Sequence, residues 1–162
     1  MNVNQVLVER LAGELNKRDS HITTAESCTG GWVAKYLTDF PGSSQWFEYG
    51  FVSYGNNAKA DLLNVDPGLI ETHGAVSQEV VEAMLRGALE RSGAEFGLAV
   101  TGIAGPDGGT PEKPVGTVWL SCGQQGHEPQ SHCHHFDGDR DTVRRQTVSQ
   151  ALNRVLKYLE AN

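Results

Sequence analysis

Val3, Val6, Leu7, Leu11 and Leu15 recur at helical spacing with charged residues between them, which predicts a helix over residues 3–18. Residues 22–25 are short and β-branched after a polar turn and read as a strand. Residues 32–37 return to helical spacing until Pro41-Gly42 stops them. A second extended run covers 47–54, and a short helix covers 56–63. Ser77 is placed to cap a helix through Val80, Val81, Met84, Leu85, Ala88 and Leu89, closed by Ser92-Gly93, with Glu79 where a carboxylate suits the helix dipole. Residues 96–100 are a nearly continuous apolar run, the kind buried on both faces of a sheet. Residues 115–122 and 131–136 resemble a hairpin around 123–129. Asp139 caps a last helix that buries Val143, Val148, Leu152, Val155, Leu156 and Leu159. Strands alternating with helices of this length predict an α/β fold: a three-layer α/β/α sandwich with a mixed sheet, forming a single domain over 1–162.

Composition narrows the function classes. Of the 162 residues, 13 are Lys or Arg and 20 Asp or Glu, a net charge of -7, which argues against a nucleic-acid binder and against docking on an anionic membrane. No apolar run approaches the roughly 18 residues of a membrane span. The first residues lack a basic stretch followed by an apolar one, so no secretory signal is read and a cytoplasmic protein is expected. Cys28, Cys122 and Cys133 are odd in number and scattered, and form no disulfide framework.

Four places carry candidate chemistry. Ser27, in Ala25-Glu26-Ser27-Cys28-Thr29-Gly30-Gly31, sits where a strand gives way to a helix, either as a capping serine or as a nucleophile with backbone amides beside it. Tyr54 at a strand end and Lys59 a turn or two into the next helix are either an ordinary surface pair or two groups facing one cleft, with the ammonium stabilising a phenolate. The loop from Thr101 through Gly102, Gly105 and Gly108-Gly109 has glycines suited to an anion nest but fits neither the Walker A nor the dinucleotide-binding pattern. Arg140, Arg144 and Arg145 open a helix whose dipole they oppose, which suits either an anionic ligand or pairing with Asp137, Asp139 and Asp141. His132-Cys133-His134-His135 has no further ligands to complete a metal set, and Cys28 lacks a histidine partner.

Taken in order, Thr24 to Gly31, Tyr54 with Lys59, His73 to Ser77, Thr101 to Gly109, Lys113 to Val118 and Gly138-Asp139-Arg140 resemble the C-terminal domain of the competence/damage-inducible protein CinA, over nearly the whole chain. The resemblance implies a three-layer α/β domain that, in its stand-alone form, hydrolyses the carboxamide of nicotinamide mononucleotide. It implies Ser27 as nucleophile and Tyr54 with Lys59 as its activating pair. It places Thr29, Gly30, Thr101, Gly102, Gly105, Arg140 and Arg144 at the substrate, with no metal or cofactor. Stand-alone members further suggest a homodimer or larger homo-oligomer. The alternative is a catalytically inactive paralogue that only binds pyridine nucleotides; the intact Ser27, Tyr54 and Lys59 count against it, and an ammonia assay separates the two.

Overall fold

The apolar run read at 96–100 lies at the centre of the sheet. The computed structural model describes residues 1–162 and forms five strands: β1 (Ile22–Glu26), β2 (Phe47–Val52), β3 (Phe96–Gly102), β4 (Thr117–Gln124) and β5 (Gln130–His135). Their order is β2-β1-β3-β4-β5. β1 runs parallel to both β2 and β3, whereas β3–β4 and β4–β5 are antiparallel. The sheet is therefore mixed; in the expected hairpin the first strand lies two residues nearer the C-terminus than read and the second one residue nearer the N-terminus.

Helices cover both faces. On one side α1 (Val3–Lys17), α2 (Trp32–Thr38) and α6 (Arg140–Ala161) bury Leu11, Leu15, Val33, Val148, Leu152 and Leu156 against Phe96, Leu98 and Val100 of β3. On the other, α3 (Asn56–Leu63), α4 (Pro67–His73) and α5 (Gln78–Ser92) pack Leu63, Val81, Met84, Leu85 and Ala88 against Ala25 and Ala99. The alternation along β3 explains the asymmetry: its large side chains face α6, while Gly97 and Ala99 leave room for α5. The three-layer α/β/α sandwich is the architecture the alternation of elements predicts.

Two differences matter below. The extended run expected to reach Tyr54 stops at Val52, and a helix unread in the sequence, α4, begins at Pro67 with the Asp66 carboxylate accepting the Gly68 N–H at 2.9 Å. The cap residues that were read, Ser77 and Asp139, accept the N–H of Val80 and Thr142.

Gly87 of α5 meets the end of α3 so closely that a Cβ there would lie 1.9 Å from the Leu63 carbonyl oxygen. That obstacle is backbone and cannot rotate away. Gly87→Ala is expected to lower stability by about 3 kcal/mol. Thermal denaturation should show this as a Tm fall of roughly 6–12 °C.

Candidate active site

In an open sheet with parallel strands, the crevice beyond the carboxyl ends of those strands is the place where loops from neighbouring strands meet. Here β1 lies between β2 and β3, so residues 27–31, 53–55 and 103–116 adjoin. Ser27 follows β1 directly. Its N–H donates to Val100 O at 3.1 Å, while Ser53 N–H donates to Glu26 O at 2.8 Å, so both neighbouring strands pin the junction. Ser27 is not a helix cap: α2 starts five residues later, and its N-cap is Gly31. The intervening turn uses left-handed backbone at Gly30 (φ 61°) and Gly31 (φ 102°). The buried Glu26 carboxylate supplies the missing cap, accepting Val33 N–H at 2.8 Å, Ala34 N–H at 3.0 Å and the Thr29 hydroxyl at 2.6 Å.

Lys59 projects from α3 to the same point. Its side chain is almost fully buried, at 1% exposure, and Nζ donates to Ser27 Oγ at 3.0 Å and to the Tyr54 carbonyl at 3.0 Å. Ser27 Oγ in turn donates to that carbonyl at 3.3 Å. Burial holds the Lys59 amine below its ordinary pKa, because no carboxylate offsets the loss of water. The reading that paired the Tyr54 phenol with the Lys59 ammonium is corrected. Because β2 ends at Val52, Tyr54 turns its main-chain carbonyl inward and its ring outward, 55% exposed, and its hydroxyl accepts from Arg140 Nη2 at 2.8 Å.

These groups open into a cavity of about 260 Å³ bordered by Ser27, Cys28, Lys59, Arg140 and the loop after β3. Thr101, Gly102 and Gly105 line it. The loop has positive φ at Gly105 (85°) and Gly108 (95°), and the N–H groups of Ala104, Gly105, Asp107 and Gly108 meet no protein acceptor. Arg140 Nη1 donates to Gly105 O at 2.7 Å, so the same arginine joins the loop to Tyr54.

Three expected substrate contacts lie elsewhere. Thr29 is fully buried with its hydroxyl on Glu26; Gly30 backs onto Arg144; and Arg144 donates to the carbonyls of Cys28 (3.0 Å) and Thr29 (3.3 Å) while stacking over Trp32. The cation that opposes the α6 dipole donates to main-chain oxygens of the turn. Burial raises the Cys28 thiol to about 12, so it carries no thiolate near neutral pH.

A family model for the CinA C-terminal domain matches residues 4–159. The chain belongs to that family. It is 55% identical over 151 residues to the nicotinamide-nucleotide amidohydrolase PncC of Pseudomonas putida, covering 93% of this chain and 94% of that one. The protein of the same name from Escherichia coli strain K12 is 51% identical over 146 residues, 90% of this chain and 88% of the relative. A crystal structure of a CinA superfamily protein from Klebsiella pneumoniae 700603 superposes with a TM-score of 0.94 at 33% identity, covering 99% of this chain and 100% of that one.

Within this CinA domain two groups escaped the sequence reading. Glu26 lies inside the quoted motif, yet no local rule announces a carboxylate that reaches seven and eight residues forward to a helix. The Tyr54 carbonyl, which ties Ser27 to Lys59, is main chain, and residue type says nothing about it.

Proposed function

We propose that this chain hydrolyses the carboxamide of nicotinamide mononucleotide to nicotinic acid mononucleotide and ammonia, with Ser27 as nucleophile and Lys59 as general base and acid. The observation that carries the proposal is the 3.0 Å contact between Lys59 Nζ and Ser27 Oγ at a cavity wall, with the amine's pKa lowered by burial. Serine–lysine pairs are an established way to activate a hydroxyl without a histidine. Relatives more than half identical to this chain are named nicotinamide-nucleotide amidohydrolases, which supports the substrate.

The neutral Lys59 amine accepts the Ser27 proton as Oγ forms a bond to the amide carbon. The tetrahedral oxyanion needs a fixed donor. The donor assigned to it in this reading is the Cys28 N–H, which adjoins Ser27 and is accepted by no other residue. The C–N bond breaks as Lys59 returns its proton to the departing nitrogen, giving ammonia and an ester on Ser27. Water, deprotonated by Lys59, attacks that ester to release the acid and restore the hydroxyl. Arg140 and the unpaired amides of the loop after β3 form the region suited to the phosphate, holding the reacting amide by a distant group. The proposed setting is cytoplasmic recycling of pyridine nucleotides by a homodimer or larger assembly. No helix is long and apolar enough to cross a membrane.

Rapid acid quench during turnover tests the route. Peptide mass spectrometry should find the nicotinic acid mononucleotide acyl group on the peptide containing Ser27. Steady ammonia release with the label on another residue, or with none during a burst, overturns the serine acyl-enzyme.

A further inference from the structure

Glu26 is the last residue of β1, fully buried, and its partners are three neutral donors: the Thr29 hydroxyl and Val33 N–H on Oε1, and Ala34 N–H on Oε2. This is more than capping α2 requires. A short polar side chain beside the helix start would satisfy its first amides locally. By reaching from the strand instead, Glu26 grips the turn at its middle, through Thr29, and at its far end, through the first turn of α2.

That grip bears on one peptide unit. Ser27 O accepts the Gly30 N–H at 3.1 Å, inside the turn. In a trans peptide the N–H points opposite to the carbonyl of the same unit. The Cys28 N–H is therefore directed away from the turn's interior; no other residue accepts it, and Cys28 itself borders the cavity. Arg144 secures the next unit by holding the Cys28 carbonyl at 3.0 Å. An N–H from the residue after the nucleophile is a recurrent oxyanion donor, and its value depends on being fixed before charge develops.

We propose that Glu26 is a positioning residue for catalysis: by fixing the Ser27–Cys28 turn through Thr29 and α2, it holds the Cys28 N–H in place for the oxyanion. This rests on the hydrolysis reading above. Glutamine has one acceptor oxygen and an NH₂ group, so in Glu26→Gln one of the amide or hydroxyl donors faces another donor. The turn then loses part of its anchor while its size is kept.

The test compares Glu26→Gln, Thr29→Val and Thr29→Ser with the wild-type enzyme in a steady-state ammonia assay with nicotinamide mononucleotide across pH, at temperatures where each variant is folded by circular dichroism. Glu26→Gln should lose about 10²-fold in kcat, the scale of one oxyanion donor. Its KM should stay within roughly threefold, because the donor acts on the transition state. Its kcat–pH inflection should not move, because Lys59 is untouched. Thr29→Val should lose about tenfold in kcat, part of that donor's worth, and Thr29→Ser, which restores the hydroxyl, should recover it.

A folded Glu26→Gln with nearly wild-type kcat, a loss carried by KM, or a displaced inflection overturns the proposal. If Glu26→Gln does not fold, equal kcat in Thr29→Val and Thr29→Ser overturns it. A wild-type protein that releases no ammonia overturns the hydrolysis reading instead, and does so before any variant is compared.

Discussion

Ser27→Ala is expected to lower kcat for ammonia release by about 10⁵-fold or more, the scale seen when a serine nucleophile is removed. That corresponds to roughly 7 kcal/mol of transition-state stabilisation. The substitution removes one oxygen and leaves the Ser27 main-chain bonds to Val100 and Gly30 in place. The turn and the cavity should therefore persist, and nicotinamide mononucleotide should still bind, measurable by calorimetry. Combining Ser27→Ala with Lys59→Met should add little further loss, because the two residues act as one unit. Cys28 borders the same cavity and supplies the control. Its thiol is held protonated at about 12, so Cys28→Ala, which keeps the backbone N–H, should retain ammonia release. Retained activity in Ser27→Ala together with its loss in Cys28→Ala would transfer the nucleophile to the thiol.

The fold was largely legible because its signals are local and periodic. The apolar run at 96–100, the Ser77 and Asp139 caps and the alternation of strands with helices each reflect neighbours within about ten residues, and the structure places them where the pattern does. The helix over 67–73 escaped because it buries no residue fully: its two large apolar side chains, Leu69 and Ile70, are adjacent and do not recur at helical spacing. Its Asp66-Pro67 start was the available signal. The site was legible in its residue types and not in their directions. Ser27 and Lys59 are 32 positions apart, and only the tertiary crossing from β1 to α3 brings them within 3.0 Å. Tyr54 was given the wrong atom: two residues past the end of β2, the alternation of side chains no longer applies, so the carbonyl faces inward and the phenol outward. Arg144 was read as a partner for an anionic ligand or for Asp137, Asp139 or Asp141, and its acceptors here are neither. Those acceptors are carbonyls more than a hundred residues away, which no local rule can distinguish from a phosphate.

Lys59→Met is expected to abolish turnover and to stabilise the protein. In the resting arrangement the amine lies 3.0 Å from both Ser27 Oγ and the Tyr54 carbonyl, and in its protonated form it has no lone pair with which to take the Ser27 proton. Catalysis needs a lone pair on Nζ and therefore the neutral amine. Because burial lowers this pKa below the ordinary 10.5, kcat should rise with pH to a plateau, with its inflection below the lysine value, in the absence of other limiting ionisations. Methionine has no base, and kcat should fall by a factor comparable to that of Ser27→Ala. Lys59→Arg should be similarly inactive, since a guanidinium keeps its proton, and this separates proton transfer from the mere presence of positive charge. Stability moves in the opposite direction. A cation whose folded pKa lies below its unfolded value opposes folding wherever both states are protonated, and the penalty fades only as pH climbs through the folded value toward 10.5. Removing that charge should stabilise the fold by about 1–2 kcal/mol at neutral pH. The gain should shrink as pH rises through the folded pKa. Denaturant titrations of the two proteins from neutral to alkaline pH measure it directly. A Lys59→Met protein that is less stable than the parent at pH 7, or that still releases ammonia at the parental rate, contradicts an amine held in reserve as a base.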